Sequence, residues 1–245
     1  MHVLWKKLLQ PEIQKISECQ NLPVPQKILL DVLVPSFRAE KALLEGILNI
    51  IMPFEDCATR FIIVIDNPDL DIEWLKELQR SKCDEILVLE NARNMGASHS
   101  RSVGIKESSA GIKESSAGIK ESSADWILLL DDDVKTFKDI QLKFVEAINT
   151  HGDYDAFVGP TILPEGGCYY STAVLLSGAS FFWTYASMSD DMPWGITANL
   201  LARNYSKVSE LPLFYRDFIK GGGEEDIDCC LRLFKRSSKS KRKAL

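Results

Sequence analysis

Short runs of branched apolar residues alternate along this chain with segments whose apolar positions recur every three or four residues. The first pattern is that of a buried strand and the second that of an amphipathic helix. Residues 2–20 carry Val3, Leu4, Leu8, Leu9, Ile13 and Ile16 at near-helical spacing, interrupted by Pro11, and 21–26 with Pro23 and Pro25 read as a linker. Strands are then expected at 28–36, at 60–69 ending on Asp66, at 84–90, at 126–130 and at 155–163. Helices are expected at 39–51 (Leu43, Leu44, Ile47, Leu48, Ile51 inward), at 71–80 (Ile72, Leu75, Leu78), from about Ala97, and at 137–151 (Phe137, Ile140, Phe144, Ala147, Ile148). Strand and helix alternating in this way predict an α/β fold: a mostly parallel central sheet with helices on both faces. Right-handed crossovers put the strand ends at Ser36, Asp66, Glu90 and Asp131 on one edge.

The sharpest change of character lies at 126–133, WILLLDDD. Five apolar residues give way to Asp131, Asp132 and Asp133. An unpaired carboxylate is too costly to bury, so the aspartates emerge at the strand's carboxyl end, where open α/β sheets bind ligands. Adjacent carboxylates repel unless a cation or donor groups sit among them, and hard oxygen ligands suit Mg²⁺ or Mn²⁺. A solvated, Asp-rich turn is the plain alternative.

Just before this strand the heptad GIKESSA occurs three times without a break, at 104–110, 111–117 and 118–124. One helix from Ala97 into one copy suffices to lead into the strand. The other two add 14 residues, roughly 21 Å if helical. One Ile per heptad is a thin stripe for a packed helix or a coiled coil, and each interior Gly weakens a helix by about 1 kcal/mol. Two copies are therefore read as an expansion, dispensable to the fold.

Residues 168–185 are apolar and aromatic, a strand or helix read as plain core. In FIKGGGEEDIDCCLRLFKR (218–236), three glycines precede Glu224, Glu225, Asp226 and Asp228, and Ile227, Leu231 and Phe234 mark the expected buried face of a helix. Acids in a first turn favour the helix dipole, but capping needs one or two, and glycines let backbone approach a ligand.

Composition narrows the class more than the chemistry. The chain has 245 residues, 45% hydrophobic and 26% charged, enough for one large domain. A net charge of −6 gives no reason to expect nucleic acid. The six Lys and Arg from Lys235 onward leave the body at −12 when set apart; this tail, 237–245, is expected to be disordered, with contact to a membrane surface as the sharper alternative. Six cysteines without a C-x-x-C pair suit a reducing compartment. No apolar run approaches a membrane span and no signal-peptide core is seen, so a cytoplasmic location, or the cytoplasmic face of a membrane, is expected.

Taken in order, the strand with PSFRAE (35–40), Asp66, NMGASHSR (94–101), WILLLDDD (126–133), PWG (193–195) and GGGEEDID (221–228) resemble the family-two inverting glycosyltransferases of the glycosyltransferase A fold. The resemblance spans about 28–236. It implies a Rossmann-like nucleotide-diphospho-sugar transferase fold, with a nucleotide-binding half at 27–134, an acceptor and catalytic half at 135–236, and a separate N-terminal helix and linker at 1–26. It further implies that Ser36 and Phe37 line the base pocket, that Asp66 bonds base or ribose, and that Asn94 and Arg101 sit beside the nucleotide. Asp131 and Asp132 would contact ribose and diphosphate, and Asp133, with Asp131, would ligate Mg²⁺ or Mn²⁺. Asp226 with Glu225 would be the catalytic acids, and Trp194 and Gly195 would shape the sugar and acceptor site. The implied partners are a nucleotide-sugar donor and a hydroxyl acceptor, whether glycan, lipid or small molecule. Two positions depart from the pattern: Asn67-Pro68-Asp69 follows Asp66, and Ser102 follows Arg101.

Rival chemistries fit less well. A haloacid-dehalogenase-type phosphatase expects Thr or Val where Lys135 stands. A serine hydrolase elbow needs a final Gly that Gly96-Ala97-Ser98-His99-Ser100 lacks, and His2, His99 and His151 offer no zinc spacing. A catalytically inactive sugar-nucleotide-binding protein of the same fold is the alternative from another class.

Overall fold

The sheet grows outward from β1 (Ile28–Ser36), which pairs in parallel with β2 (Cys57–Ile65) on one side and β4 (Trp126–Leu130) on the other. The structure, a computed structural model, describes residues 28–50, 57–83, 85–110, 124–136, 139–152, 154–162, 168–177, 195–204, 214, 224–236 and 242–244. Beyond β2 lies β3 (Ile86–Glu90), also parallel. Beyond β4 the direction reverses: β6 (Asn199–Arg203) is antiparallel to β4 and to β5 (Ala156–Val158). A last strand, β7 (Arg242–Ala244), pairs in parallel with β5 and completes the order β3-β2-β1-β4-β6-β5-β7. The mostly parallel sheet read from the strand–helix alternation is thus present, with the reversed strand β6 at the fifth position.

Each strand's alternate residues divide between two cores. On one face Leu30, Val32 and Val34 of β1 and Phe61, Ile63 and Ile65 of β2 meet three helices: α1 (Lys41–Leu48) through Leu44 and Ile47, α2 (Glu73–Ser81) through Leu75, and α4 (Ile140–Thr150) through Phe144 and Ile148. On the other, Leu33, Ile62, Val64, Ile127 and Leu129 meet Ile105 of α3 (Ala97–Ala110) and Cys229 and Cys230 of α6 (Glu224–Arg236). Burial on both faces explains why these strands read as unbroken apolar runs. A buried ion pair interrupts the second face. Arg60 Nε and Nη2 donate to Asp31 Oδ1 and Oδ2 at 3.0 and 2.6 Å, and the two residues are direct neighbours across β1 and β2.

Helix α3 approaches the sheet closely. A Cβ on Gly104 would run into both methyl groups of the buried Leu33. The first glycine of the heptad repeat is therefore a packing residue, and α3 is described up to Ala110, the last residue of the first copy. Copies two and three fall on 111–123, outside the described residues, apart from the buried Ala124.

Several expectations are corrected. Strand β2 begins at Cys57, three residues before the charged Arg60 that was read as its start, because the Arg60 side chain is neutralised inside by Asp31. Strand β5 spans three residues, not 155–163. Helix α5 (Tyr169–Leu176) is not core: Tyr169 is 98% exposed, and Tyr170 and Leu176 also face solvent. Helix α6 buries Cys229 and Cys230 and exposes Ile227 and Leu231, a rotation of the expected face that turns its acidic first turn inward. Three residues of the basic tail form β7, where disorder was expected, since β5 offers them an unpaired edge. The N-terminal helix and linker expected at 1–26, together with Ile51, Phe137 and all of 178–194, lie outside the described residues. No helix among those described is long and apolar enough to cross a membrane.

Candidate functional site

The aspartates after β4 emerge where the sheet's parallel strands end, and each is met by a different group. Asp131 Oδ1 accepts from Arg101 Nη2 at 2.7 Å. Asp132 Oδ2 accepts from the buried Ser36 Oγ at 2.6 Å, and that hydroxyl in turn accepts from the Ala39 amide at 3.0 Å. Asp133 Oδ2 lies 3.4 Å from Arg38 Nη2, with both side chains largely in solvent. Ser36 can reach Asp132 because both close neighbouring parallel strands, β1 and β4. Ala39, at φ 48°, turns the chain sharply from β1 into α1; left-handed backbone costs a non-glycine residue about 1–2 kcal/mol, so the neighbouring hydrogen bond and burial hold it there.

A second acid cluster faces the first. Glu225 and Asp226 stand in the first turn of α6, which packs with α3 on one side of the sheet. Arg101, on α3 and 4% exposed at its side chain, lies between the clusters: its Nη1 is 3.6 Å from Glu225 Oε1 and 3.9 Å from Asp226 Oδ1, while its Nη2 holds Asp131. The guanidinium also lies over the Phe214 ring at 5.6 Å. Its Nε and Nη1 are buried without a hydrogen-bond partner among the described residues. Burial would lower the guanidinium's pKa, but Asp131, Asp226 and Glu225 together hold it above its usual value.

Asp226 is the perturbed acid. Burial is the largest cause and raises its pKa to about 6; Arg101 and a 2.6 Å hydrogen bond from Thr197 Oγ1 pull it back, while Glu225 and Asp131 push it further up. Just behind it on the helix, desolvation pushes the Cys229 thiol well above its ordinary range.

The remaining expected residues divide. Asp66 is buried, and its carboxylate accepts from Asn91 Nδ2 (2.6 Å), the Met95 amide (2.8 Å) and the Gly96 amide (2.7 Å). It thereby fixes the turn that starts α3, with Gly96 at φ 85°, a conformation suited to glycine. Asn94 is exposed and caps the same turn, its Oδ1 accepting from the Gly96 amide at 3.2 Å. Phe37 is half exposed beside Ser36. Gly195 is buried, its amide 3.3 Å from Cys230 Sγ, and an added Cβ would lie 2.5 Å from Val158. Trp194, Pro193 and the glycines at 221–223 lie outside the described residues.

Sequence reasoning missed Thr197, Arg38, Asn91 and Phe214. Asn91 directly follows the expected strand end at Glu90 and Arg38 lies two residues beyond that at Ser36, and that position is the available signal. Nothing in the local sequence separates Thr197 or Phe214 from ordinary turn or core residues.

The strand-end carboxylates fit a divalent cation in one respect. They are hard oxygen donors, and Asp133 is open to solvent, with its side chain 59% exposed. No group of three or more His, Cys, Asp or Glu among the described residues is arranged to hold a metal by itself. One or two carboxylates completed by substrate phosphates is a common arrangement for Mg²⁺-type ions, and this donor set suits it.

No family model matches the chain, and no curated protein sequence matches it. Solved structures do. TarS residues 1–349 from S. aureus, solved alone and with UDP or UDP-GlcNAc, superpose with TM-score 0.62 at 13% identity for the unliganded form, over 89% of this chain and 58% of that one. The mannosyltransferase PcManGT from Pyrobaculum calidifontis, in complex with GDP-Man and Mn²⁺, gives 0.56 at 11% identity over 94% of this chain and 62% of that one. GalNAc-T7 with UDP, GalNAc and Mn²⁺ gives 0.58 at 12% identity, over 89% and 42%. The chain thus spans about two-fifths to three-fifths of the length of these structures, and its fold is the glycosyltransferase A fold.

Proposed function

We propose that this protein is a metal-dependent inverting glycosyltransferase, moving a sugar from a nucleotide-diphosphate donor to a hydroxyl acceptor. One observation carries the reading: the strand-end aspartates and the Glu225–Asp226 pair meet across Arg101, with Asp226 raised to about 6. A carboxylate titrating there is mostly ionised at neutral pH yet basic enough to accept a proton from a hydroxyl under attack.

The roles proposed for the site residues are these. Ser36 and Phe37 would line the base pocket. Asp66, with both oxygens engaged by the turn at 95–96, would act on the nucleotide by shaping the Asn94 and Arg101 region. Asp132 would contact ribose or diphosphate, and Asp133 with Asp131 would hold Mn²⁺ or Mg²⁺. A bound divalent ion would supply neutralisation of the leaving diphosphate. Arg101, cationic and buried, adds a second positive charge beside that position. Asp226, with Glu225 beside it, would take the acceptor's proton as its oxygen attacks the anomeric carbon. Gly195 and Trp194 would border the acceptor. The nucleotide sugars bound by the neighbouring structures, UDP-GlcNAc and GDP-Man, are the donors to try first.

The test is thermal shift and nucleotide release with UDP-GlcNAc and GDP-mannose, with and without Mn²⁺. Asp133→Ala should abolish the metal-dependent shift. Asp226→Asn should keep the shift and lose turnover. Binding without release in the wild type would favour a sugar-nucleotide-binding protein, and unchanged turnover in Asp226→Asn would remove that residue as the base.

A further inference from the structure

Among the described residues, Asp226 is held by one oxygen only. Thr197 Oγ1 donates to Oδ1 at 2.6 Å, and Arg101 Nη1 approaches the same atom at 3.9 Å. Oδ2 receives no hydrogen bond from any described residue. The sheet explains why Thr197 is there. Strand β6 runs antiparallel to β4 with Asn199 opposite Leu130, so the turn before Asn199 lies level with the aspartates that follow Leu130. That turn is closed by the Asn199 amide on Ile196 O at 3.3 Å. Two residues earlier, the Gly195 amide donates to Cys230 Sγ at 3.3 Å, and the same sulfur donates back to Gly195 O at 3.5 Å. Asp226 and Cys230 are one helical turn apart, so the 195–197 segment grips α6 at two points on one face. Thr197 itself is 1% exposed.

We infer that Thr197 is a positioning residue for the proposed base: it ties Oδ1 of Asp226 and leaves Oδ2 as the oxygen that takes the proton. The inference rests on the transfer reading above. In that step the acceptor O–H bond breaks and its proton passes to Oδ2. The acceptor oxygen bonds the anomeric carbon, and the bond from that carbon to the diphosphate breaks, its electron pair leaving with the nucleotide. A carboxylate free to rotate would present either oxygen, and small misplacements of a reacting group can cost up to about a hundredfold in rate.

The charged groups around Asp226 are Arg101 from α3, Glu225 beside it on α6 and Asp131 from the end of β4. Thr197 adds the hydrogen bond that favours the ionised form. Its removal therefore has a readout that loss of packing alone does not produce.

The experiment compares Thr197→Val and Thr197→Ser with the wild type. The Asp226 carboxyl is titrated by carbon-13 NMR, its signal assigned by loss in Asp226→Asn. UDP release from UDP-GlcNAc with Mn²⁺, water serving as acceptor, gives kcat and KM. Thr197→Val should move the titration midpoint up by about one unit, a tenfold change in the protonation equilibrium. It should lower kcat about tenfold with KM within about twofold, and Thr197→Ser should restore both. An unmoved midpoint in Thr197→Val, or a Ser variant as impaired as Val, overturns the inference. A wild type that releases neither UDP nor, from GDP-mannose, GDP overturns the transfer reading and the role of Oδ2 with it, while the titration still decides whether Thr197 holds Oδ1.

Discussion

Arg101 and Asp226 face each other across 3.9 Å, with the guanidinium's other nitrogen 2.7 Å from Asp131. One buried cation thus serves two acid clusters that are far apart in the sequence, at Asp131 and at Glu225–Asp226. The arrangement cannot be partly dismantled without leaving charge uncompensated. Arg101→Met should destabilise the protein by about 3–5 kcal/mol, the range seen when one partner of a buried pair is removed. Urea denaturation at neutral pH measures it. Arg101→Lys should fold better but turn over at least about tenfold more slowly, since an ammonium cannot reach Asp131 and Asp226 with separate nitrogens.

The pKa of Asp226 makes a two-sided prediction. It is raised from 3.8 to about 6, chiefly by burial. The folded state therefore favours the protonated carboxyl. That stabilisation is complete below 3.8 and is lost as pH rises through about 6. Activity needs the ionised form and should climb over the same interval. Nucleotide release should show an acid limb near 6, while the stability of the wild type relative to Asp226→Asn should fall across that limb by at most about 3 kcal/mol. Denaturation series at several pH values, paired with rates, check both signs.

Gly104 is where α3 meets the sheet. With Leu33 fully buried, an added methyl has no room to displace it. Gly104→Ala should therefore cost about 1–3 kcal/mol by overpacking, although alanine is the better helix former by about 1 kcal/mol. A lowered urea midpoint would show that packing outweighs propensity here; a raised midpoint would show that Leu33 yields.

The described residues on either side of the second and third heptads meet at Asn204. Asn204 Nδ2 donates to Ser108 Oγ, in the first copy, and to Ala124 O, at the end of the third, at 3.0 Å each. Removing 111–124 joins Ala110 to Asp125 and recreates the sequence that now precedes β4. The shortened protein should keep its circular dichroism spectrum, its Tm within about 4 °C and its nucleotide release. Unfolding on deletion would make the repeat structural.

The sequence by itself determined the four parallel strands β1 to β4 and the acids at their ends. Unbroken apolar runs at Ile28–Ser36 and Trp126–Leu130 can only be buried on both faces, and the abrupt aspartates after Leu130 can only stand at a strand end. It also marked Arg101 and Asp226, through motif spacing and resemblance. It could not decide which way α6 turns. Ile227 and Leu231 form as good an apolar stripe as Cys229 and Cys230, and the choice is made by what lies opposite: Gly195, Thr197 and Arg101 accommodate the face that carries Asp226. Nor could it pair Thr197 with Asp226, because that contact depends on β6 running against β4, a register set by packing between distant segments. Local pattern reports which residues must leave water; only the closed fold fixes which of them meet.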